Sequence, residues 1–582
     1  MKLLGGEIVI RSLVDQGVDV IFGYPGGAVL PIYDALFQQN NLRHVLTRHE
    51  QAAVHAAEGY ARSTGKVGAV LVTSGPGATN AVTGLADAMM DSIPVVCLTG
   101  QVPTHLIGND AFQEADTVGI TRACTKHNYL VKDVNDLARS IAEAFHVARS
   151  GRPGPVVVDL PKDVVNDSAD YKPIGEVRHR TYRPKMNAPH ERVAEAVKLL
   201  AEAERPIIYS GGGVINSGPR ASKLLRELAA LTKFPVTQTL MGLGAFPATD
   251  PQSLGMLGMH GTYEANLAMH RCDVMLVVGA RFDDRVTGRL ADFSPDSTKI
   301  HIDIDPSSIN KNVSIDVPIV GDVANVLDDI LAGLKKHKCH TREAAVKIWW
   351  QQIDKWRDKN CLSYTPSKKT IKPQLALQRL QEHTKDKDVY FTTEVGQHQM
   401  WAAQYLVINE PNRWMTSGGL GTMGYGFPSA VGVQTAHPKS LVIDISGEAS
   451  FLMNMQELST VRQYRLPLKV FILNNEYLGM VRQWQEFFHG GRYSESHTDS
   501  LPDFVVLAKS FGIKGLRASE PAELDDVISE MIAHDGPVVA DIMVEKLENV
   551  FPMIPAGAAH HEMKLSGEDA VPIRTEEGMV LV

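Results

Sequence analysis

Cysteine is scarce in this sequence. Five cysteines lie among 582 residues, and no two of them have the C-x-x-C spacing of a zinc site or a redox pair. Unpaired thiols at this density are typical of a reducing compartment rather than of a disulfide-stabilised secreted domain. The sequence therefore predicts a cytoplasmic protein with free thiols.

Long hydrophobic runs and clusters of positive charge are also missing. No apolar stretch reaches the roughly 20 residues that a membrane span needs. The first 20 residues lack the charged head, apolar core and cleavage site of a signal peptide. The net charge of −9 is spread along the chain without the basic stripe that nucleic acid requires. We therefore expect neither a membrane nor a nucleic-acid partner.

What the sequence does contain is a repeated alternation of short β-branched runs and longer helical patterns. The runs are apolar on both faces, which is typical of strands buried in a parallel sheet. They fall into three blocks: 67–77, 93–100 and 154–161; then 205–213, 272–281 and 299–306; then 388–396, 441–447, 468–475 and 537–544. The pattern predicts an α/β protein with three doubly wound, mostly parallel-sheet domains.

Two polar segments separate these blocks. Residues 165–190 carry scattered prolines, and residues 338–372 are rich in lysine and tryptophan. A chain of this length is expected to form several domains. We predict domains at 1–165, 190–338 and 372–545, followed by a tail at 546–582.

An acid and an amide follow two consecutive strands of the third block. Glu448 comes after the run ending at Ile445, and Asn475 follows the next strand 27 residues later. In a right-handed βαβ unit these strand ends lie side by side. Their oxygens suit Mg²⁺, and a helix predicted to open at Ser450 would direct N–H groups at a phosphate. A metal-bridged diphosphate is one explanation; a helix-dipole acid beside an unrelated Asn turn is an equally good one.

These positions match a motif of thiamine-diphosphate (ThDP) enzymes, in which Gly-Asp-Gly is followed after one helix by Asn-Asn. Other segments extend the match over almost the whole chain: FGYPGGAVLPIYDAL, RHEQAAVHAAEGYAR, TSGPGATN, GARFDDRVTG, SGGLGTMGYGFPSA and LNNEYLGMVRQWQ. The chain resembles the catalytic subunits of the acetohydroxyacid synthase (acetolactate synthase) family.

The resemblance implies ThDP, Mg²⁺ and FAD as cofactors. It implies that pyruvate is decarboxylated and joined to a second 2-ketoacid, pyruvate or 2-ketobutyrate. The product is 2-acetolactate or 2-aceto-2-hydroxybutyrate, in the first common step of branched-chain amino-acid biosynthesis.

The sequence departs from the family in the cofactor motif, where Gly447-Glu448-Ala449 replaces the usual Gly-Asp-Gly. Glutamate keeps the charge but reaches further than aspartate by about 1.5 Å. Magnesium tolerates ligand distances only near 2.0–2.1 Å. We therefore expect a functional but weaker Mg²⁺/ThDP site.

The resemblance also implies roles for residues of the third block. The metal ligands would be Glu448, Asn475 and the backbone carbonyl of Tyr477. Met423 would be the apolar wedge that bends ThDP, although an ordinary core methionine explains it as well without the family. The remaining ThDP contacts would be Gln397, His398, Gly421, Ala449, Ser450 and Met480.

Glu50 is the expected proton-transfer residue. It opens the helical pattern EQAAVHAAEGYAR, and without the family a helix-start acid beside Arg48 and His49 explains it as well. An apolar setting favours the neutral form of a carboxyl group, which suits proton transfer near pH 7. The family places this glutamate in the site of another subunit, so the resemblance implies a homodimer or a tetramer. Substrate contacts would be Gly27, Gln113, Arg285 for the second carboxylate, and Trp484 for the ketobutyrate methyl group.

The middle block resembles an FAD domain in which the flavin has a structural role. The glycine-rich turn at Gly211, Gly212 and Gly213 allows close approach to a phosphate. By itself this turn indicates only a nucleotide. The other implied contacts are Thr239, Leu240, Gly258, Met259, His260, Gly279, Arg281, Asp303 and Asp322.

Three alternatives stay open at this point. GLGTMG at 419–424 is a G-x-G-x-x-G pattern with Asp444 twenty residues further on, which taken alone suggests an NAD site. The chain could also be a ThDP-fold protein that Glu448 has inactivated, or a different ThDP carboligase or decarboxylase. The family often pairs with a small regulatory subunit.

Overall fold

The computed structural model describes residues 1–177, 179, 181–336 and 343–567. Cys339 and the end of the predicted tail lie outside these residues. In the described part of the chain, no helix has both the length and the apolar composition needed to cross a membrane.

The first domain is built on a parallel sheet. Its described strands are β1 (Lys2–Leu4), β2 (Val20–Gly23), β3 (Arg43–Leu46), β4 (Gly68–Val72), β5 (Val95–Gln101), β6 (His127–Leu130), β7 (Val156–Pro161) and β8 (Ser168–Asp170). The sheet has the order β3-β2-β4-β5-β7-β6, and β1 pairs with β8 in a separate antiparallel ribbon. The helices are α1 (Gly5–Asp15), α2 (Leu30–Phe37), α3 (Glu50–Thr64), α4 (Pro76–Asn80), α5 (Val82–Asp91), α6 (Thr117–Thr121), α7 (Leu137–Arg149) and α8 (Lys162–Asn166).

The central domain repeats this architecture. Its strands are β9 (Pro206–Ser210), β10 (Val236–Gln238), β11 (Ser253–Met256), β12 (Val274–Val278), β13 (Thr298–Asp303) and β14 (Val317–Val320), in the order β11-β10-β9-β12-β13-β14. The described helices are α9 (His190–Glu202), α10 (Gly212–Asn216), α11 (Pro219–Thr232), α12 (Tyr263–Arg271), α13 (Asp284–Thr287), α14 (Val323–Lys336) and α15 (Glu343–Arg357).

The third domain contains another parallel sheet, in the order β16-β15-β17-β18-β20-β19. Its strands are β15 (Val389–Thr393), β16 (Trp414–Met415), β17 (Leu441–Ser446), β18 (Lys469–Asn474), β19 (Lys514–Ala518) and β20 (Val538–Met543). The helices are α16 (Pro373–Thr384), α17 (Gln397–Tyr405), α18 (Gly426–Ala436), α19 (Glu448–Leu452), α20 (Leu458–Tyr464), α21 (Gly479–Phe488), α22 (Phe504–Ser510) and α23 (Leu524–Ala533).

The predicted α/β class with three parallel-sheet domains is confirmed, and each predicted apolar run overlaps a strand of one of the three sheets. The domain boundaries at 1–165, 190–338 and 372–545 remain a prediction. The βαβ unit between β17 and β18 contains two helices instead of one, α19 and α20, which are joined by a 3₁₀ turn at Met455–Glu457. The structure explains the break, because Nδ2 of Asn454 donates to the Gly424 carbonyl oxygen at 2.6 Å. This side-chain bond ties the chain to a neighbouring loop and competes with a continuous helix.

The first and third domains share one hydrophobic core, in which α3 packs against α18. Two glycines allow these helices to approach closely. A Cβ placed at Gly59 would lie 2.2 Å from the Ser429 carbonyl oxygen, and one at Gly432 would lie 1.8 Å from that of Ala56. Backbone contact at these points therefore requires glycine. This packing fixes the helix that begins at Glu50 against the domain that carries Glu448.

Candidate functional site

Glu448 and Asn475 lie at the carboxyl ends of neighbouring strands, as the sequence predicts. β17 pairs with β18 in parallel, and each residue follows the end of its strand. The predicted helix start at Ser450 is wrong, because Gly447 has extended backbone and acts as the N-cap. Glu448 is therefore the first helical residue, and Ala449 and Ser450 lie within the first turn.

Glu448 is a buried acid with an unused acceptor. It is 1% exposed, and its Oε1 has no hydrogen-bond partner in the described structure. Burial raises the pKa of this carboxyl to about 8, although the nearby backbone N–H groups of Asn475 and Tyr477 oppose the shift. A buried carboxylate oxygen without a partner is costly unless a ligand completes it. This is the environment that a bound cation would stabilise.

The side chain of Asn475 is oriented by its neighbours. Its Nδ2 donates to Oε1 of Gln397 at 3.2 Å, and its Oδ1 accepts from the Tyr477 backbone N–H at 3.1 Å. Carboxylate, amide and carbonyl oxygens at this edge are the hard ligands that Mg²⁺ prefers. The residues present therefore fit a magnesium ion held by Glu448, Asn475 and the backbone of Tyr477.

Gln397 and His398 open α17 beside this edge and are both buried. Nε2 of Gln397 donates to Oε1 of Gln483 at 2.8 Å, so that the amide is held rigidly. Nε2 of His398 is buried without a partner, and burial lowers the pKa of this imidazole to about 3. His398 is therefore neutral and offers an unused polar atom next to the Glu448 turn, which fits a diphosphate or pyrimidine contact.

Glu394 is a buried acid that the sequence reasoning missed. It follows β15, and its carboxylate accepts from the Gly424 N–H at 2.7 Å, the Phe427 N–H at 2.9 Å and the Ser450 hydroxyl at 2.7 Å. The Ser450 side chain, predicted to contact the cofactor, is engaged by Glu394 instead. The sequence did contain a signal for Glu394, because it is an acid that follows an apolar run, as Glu448 is.

A cavity of about 1500 Å³ opens between the three domains. Most residues predicted from the FAD resemblance line it, together with several from the third domain. The predicted residues on its wall are Gly212, Gly213, Thr239, Leu240, Met259, His260, Gly279, Arg281, Asp303, Asp322, Arg285, Gly421, Met423, Met480 and Trp484.

Two predicted glycines lie behind the wall of this cavity. A Cβ at Gly211 would stand 2.2 Å from the Gly279 carbonyl oxygen, so Gly211 permits close backbone packing. Gly258 has φ +95°, and its N–H and carbonyl are both bonded to the Asn266 side chain. Both residues are expected to shape the turns rather than contact a ligand.

The central part of the cavity fits a nucleotide cofactor. His260 is 5% exposed, its Nδ1 bonds the Pro552 carbonyl at 3.0 Å, and its Nε2 has no partner in the described structure. Burial lowers the pKa of His260 to about 4, so that the ring is neutral. Arg281 supplies positive charge on the same wall. A cavity of this size with an unused buried donor or acceptor suits a flavin dinucleotide.

The first domain also contributes to this wall, which the sequence reasoning missed. Met90, Asp91 and Ser92 line the cavity, as do residues 149–153. Arg152 reaches across the domain boundary, and its Nη1 lies 3.4 Å from Oδ2 of Asp305. No local motif marks these residues, because their placement depends on how the domains pack.

Glu50 and its neighbours form a second group at the edge of the first sheet. Asn80 Nδ2 donates to Oε2 of Glu50 at 3.0 Å. A Cβ at Gly77 would lie 3.5 Å from Oε1 of Glu50, and one at Gly75 would lie 2.8 Å from the Gln113 carbonyl oxygen. Gly27 is exposed, with open space on its side-chain face.

The Glu50 group and the Glu448 group are not in direct hydrogen-bond contact. Among the described residues, no hydrogen bond joins Glu50, Gly27 or Gln113 to the Glu448 edge, and none of the three lines the large cavity.

The NAD alternative is not supported by the geometry. Asp444 lies within β17, where it accepts from Thr392 Oγ1 at 2.8 Å and from the Ser446 hydroxyl. Its carboxylate is buried among these partners instead of facing a ribose. The glycine pattern at 419–424 follows the two-residue strand β16 and a further loop, not a Rossmann strand leading directly into a helix.

Comparison with known proteins agrees with the motifs. Three thiamine pyrophosphate enzyme family models match: the N-terminal TPP binding domain at residues 3–120, the central domain at 193–330 and the C-terminal TPP binding domain at 394–542.

Relatives that match along nearly their whole length are acetolactate synthase large subunits. The large subunit of acetolactate synthase isozyme 3 of Escherichia coli is 52% identical over 569 residues, covering 97% of this chain and 99% of the relative. The acetolactate synthase large subunit of Haemophilus influenzae is 49% identical over 568 residues, covering 97% and 98%. The isozyme 2 large subunit of E. coli is 47% identical over 559 residues, covering 96% and 99%. The chain belongs to the thiamine diphosphate-dependent acetolactate synthase large-subunit family.

Proposed function

We propose that this chain decarboxylates pyruvate and joins the remaining two-carbon unit to a second 2-ketoacid, which gives 2-acetolactate or 2-aceto-2-hydroxybutyrate. The observation that carries the proposal is the pair of oxygen-bearing residues at adjacent strand ends, Glu448 and Asn475. The unpaired Oε1 of Glu448 supports a cation site at this edge in a chain of this family. Through this cation the third domain would hold the diphosphate end of ThDP.

The third-domain residues bind and orient the coenzyme. Gln397 fixes the Asn475 amide, His398 offers its unused Nε2, and Met423 presents an apolar side chain at the cavity wall. When bound, ThDP supplies a thiazolium carbon that acts as nucleophile and electron sink. The role of these residues is to fix its position and to exclude water from it.

Glu50 moves the proton that activates the coenzyme. Its carboxylate is half-buried at the start of α3, and the hydrogen bond from Asn80 fixes the position of Oε2. Oε1 lies close to Gly77. A carboxyl group in this position can donate a proton to a ring nitrogen and take it back, which is general acid–base catalysis.

The active site is shared between two copies of the chain. Exposed apolar side chains lie next to each half of the site: Phe112 at 88% and Leu30 at 56% near Gly27 and Gln113, and Met453 at 57% and Leu420 at 44% near Gly421. Apolar side chains exposed beside catalytic groups favour a protein interface. Two copies related by a twofold axis would bring the Glu50 edge of each to the Glu448 edge of the other.

Arg285 and Trp484 bind the second substrate. Both side chains lie on the cavity wall, and the guanidinium can hold a carboxylate through two hydrogen bonds. The indole offers an apolar surface to the substrate alkyl group. The central part of the cavity, around His260 and Arg281, would hold FAD as a structural element.

A smaller second chain is also proposed as a partner. The relatives carry the name large subunit, which implies a smaller one. Co-expression of this chain with a candidate small subunit, followed by size-exclusion chromatography, tests this association.

The function is tested by a colorimetric acetolactate assay with purified protein and pyruvate. We expect product only when ThDP and Mg²⁺ are both present, and lower or less stable activity without FAD. Oxidation of reduced nicotinamide with 2-ketoacids, or no acetolactate under any cofactor combination, would contradict the proposal.

A further inference from the structure

A glycine-rich segment of the third domain is held by charged side chains of the first domain. The segment, residues 416–424 (TSGGLGTMG), runs from the end of β16 to just before α18 and carries Gly421 and Met423. It is here called the glycine segment. Of the first-domain side chains that hold it, Asp91 also lines the large cavity.

Asp91, the last residue of α5, contacts the segment through both carboxylate oxygens. Oδ2 accepts from the Gly418 N–H at 2.9 Å, and Oδ1 accepts from the Gly419 N–H at 2.7 Å. A Cβ placed at Gly419 would lie 2.7 Å from Oδ1 of Asp91. Two consecutive N–H groups bonded to one carboxylate fix the local direction of the backbone.

Two more first-domain side chains extend this contact. Nη1 of Arg62 donates to the Thr416 carbonyl oxygen at 2.6 Å. Oδ1 of Asp87 accepts from the Ser417 hydroxyl and from Thr422 Oγ1, the latter at 2.7 Å. Arg62 lies in the last turn of α3, and Asp87 lies one turn before Asp91 in α5. The first domain therefore bonds the segment from Thr416 to Thr422.

The segment needs such partners because of its composition. Four glycines within nine residues leave its backbone free to adopt many conformations, and ordering each residue costs about 1–2 kcal/mol. At its far end, the Gly424 N–H is held by Glu394 at 2.7 Å. Met423 lies between the two anchored ends and lines the cavity.

We infer that Asp91 is a positioning residue for the reaction, acting through Gly418 and Gly419 to place Met423 against the coenzyme. The inference rests on the proposed function for the role of Met423. That Asp91 orders the glycine segment does not depend on the proposed function. Asp87 and Arg62 hold the residues of the segment that lie on either side of Gly418 and Gly419.

The test uses Asp91→Asn in the full-length protein. Asparagine has nearly the same shape, but it replaces one acceptor oxygen with an NH₂ group that faces a backbone N–H. Hydrogen exchange of residues 416–424 is measured by mass spectrometry without ThDP, with Tm as a measure of folding. We expect exchange in this segment to be about tenfold faster with Tm nearly unchanged, since the site lies at one loop.

With ThDP, Mg²⁺ and pyruvate, we expect kcat of Asp91→Asn to fall by about 10- to 100-fold, while KM for pyruvate changes by less than about twofold. Asp87→Asn is the matched comparison on the same helix. It keeps an acceptor oxygen for both hydroxyl donors, and so we expect a smaller loss of kcat than in Asp91→Asn.

Gly419→Ala disturbs the contact between Asp91 and the glycine segment by a change in the segment itself. Its Cβ displaces the Asp91 carboxylate, and we expect the same faster exchange and lower kcat even if Asp91→Asn fails to fold. Wild-type exchange and wild-type kcat in either folded variant would overturn the inference. If the wild-type protein forms no acetolactate, the proposed function fails, while the exchange result still decides whether Asp91 orders the segment.

Discussion

The guanidinium of Arg285 lies 5.9 Å from the centroid of the Trp484 ring. Arg285 belongs to α13 of the central domain, and Trp484 belongs to α21 of the third domain. A cation at this distance from an indole face is attracted to the ring. The contact places a carboxylate-binding group and an apolar surface on the same part of the cavity wall.

Trp484→Leu should lower the preference for 2-ketobutyrate over pyruvate as second substrate. One methylene in an apolar pocket contributes about 1–3 kcal/mol, so the ratio of the two products should fall by a factor on the order of ten. Competition between the two ketoacids, with both products quantified, measures this ratio. Phe487→Leu on the same helix is the control, because Phe487 does not line the cavity. An unchanged ratio in Trp484→Leu would remove the indole from the specificity pocket.

Glu50→Gln should bind ThDP but turn over slowly. The amide keeps the shape and can retain the contact with Asn80, but it cannot accept the proton, which should lower kcat by about 10²- to 10⁴-fold. Quenching of tryptophan fluorescence by ThDP measures binding separately from turnover. Glu195→Gln, a surface substitution beside Arg192, serves as the control. Near-normal turnover by Glu50→Gln with bound ThDP would exclude the proposed role.

Glu448→Asp should bind Mg²⁺ and ThDP at least as tightly as the natural chain. The shorter side chain restores the usual reach at a metal that requires ligands near 2.0–2.1 Å. Titration of the ThDP-dependent fluorescence change with Mg²⁺ gives the apparent affinity. Ala449→Gly, which changes the next residue and leaves the ligand unaltered, controls for backbone effects. A markedly weaker site in Glu448→Asp would show that glutamate is the better ligand in this backbone.

Asp159 provides a test of pH-dependent stability away from the cofactor residues. It is buried in β7, where it accepts from Thr99 at 2.7 Å and Gln101 at 3.0 Å. Burial raises the pKa of Asp159 to about 7 despite these bonds. Between pH about 4 and about 7 the folded protein keeps a proton that the unfolded chain has lost, so its free energy of unfolding falls as pH rises.

Asp159→Asn removes this titration. The difference in unfolding free energy, variant minus wild type, should therefore increase from pH 5 to pH 8, by roughly 2–3 kcal/mol. Urea unfolding of both proteins at several pH values measures this difference. A difference for Asp159→Asn that decreases with pH would contradict the raised pKa.

The fold was predictable from the sequence because buried parallel strands are apolar on both faces, and such runs stand out between polar segments. Strands β17 and β18 and the adjacency of Glu448 and Asn475 followed from this pattern alone. The shorter edge strands, such as β16, were not predicted, since two residues leave no periodic signal.

The candidate site was predictable only in part. Local motifs and the family resemblance indicated Glu50, Met423 and Arg285, but Glu394 and Asp91 were missed. Their partners, such as the Gly424 and Gly418 N–H groups, are backbone atoms far away in sequence, and backbone donors leave no trace in a sequence pattern. The helix start at Glu448 was misplaced because Gly447 caps it without a side chain.

The shared active site is tested most directly by mixing two inactive variants, Glu50→Gln and Asn475→Ala. If each site combines Glu50 of one copy with Glu448 and Asn475 of the other, every mixed dimer contains one site with both defects and one intact site. Random reassociation should then restore roughly a quarter of the wild-type acetolactate activity. No activity in the mixture, with mixed dimers verified by mass spectrometry, would contradict the account, because each site would then lie within one chain.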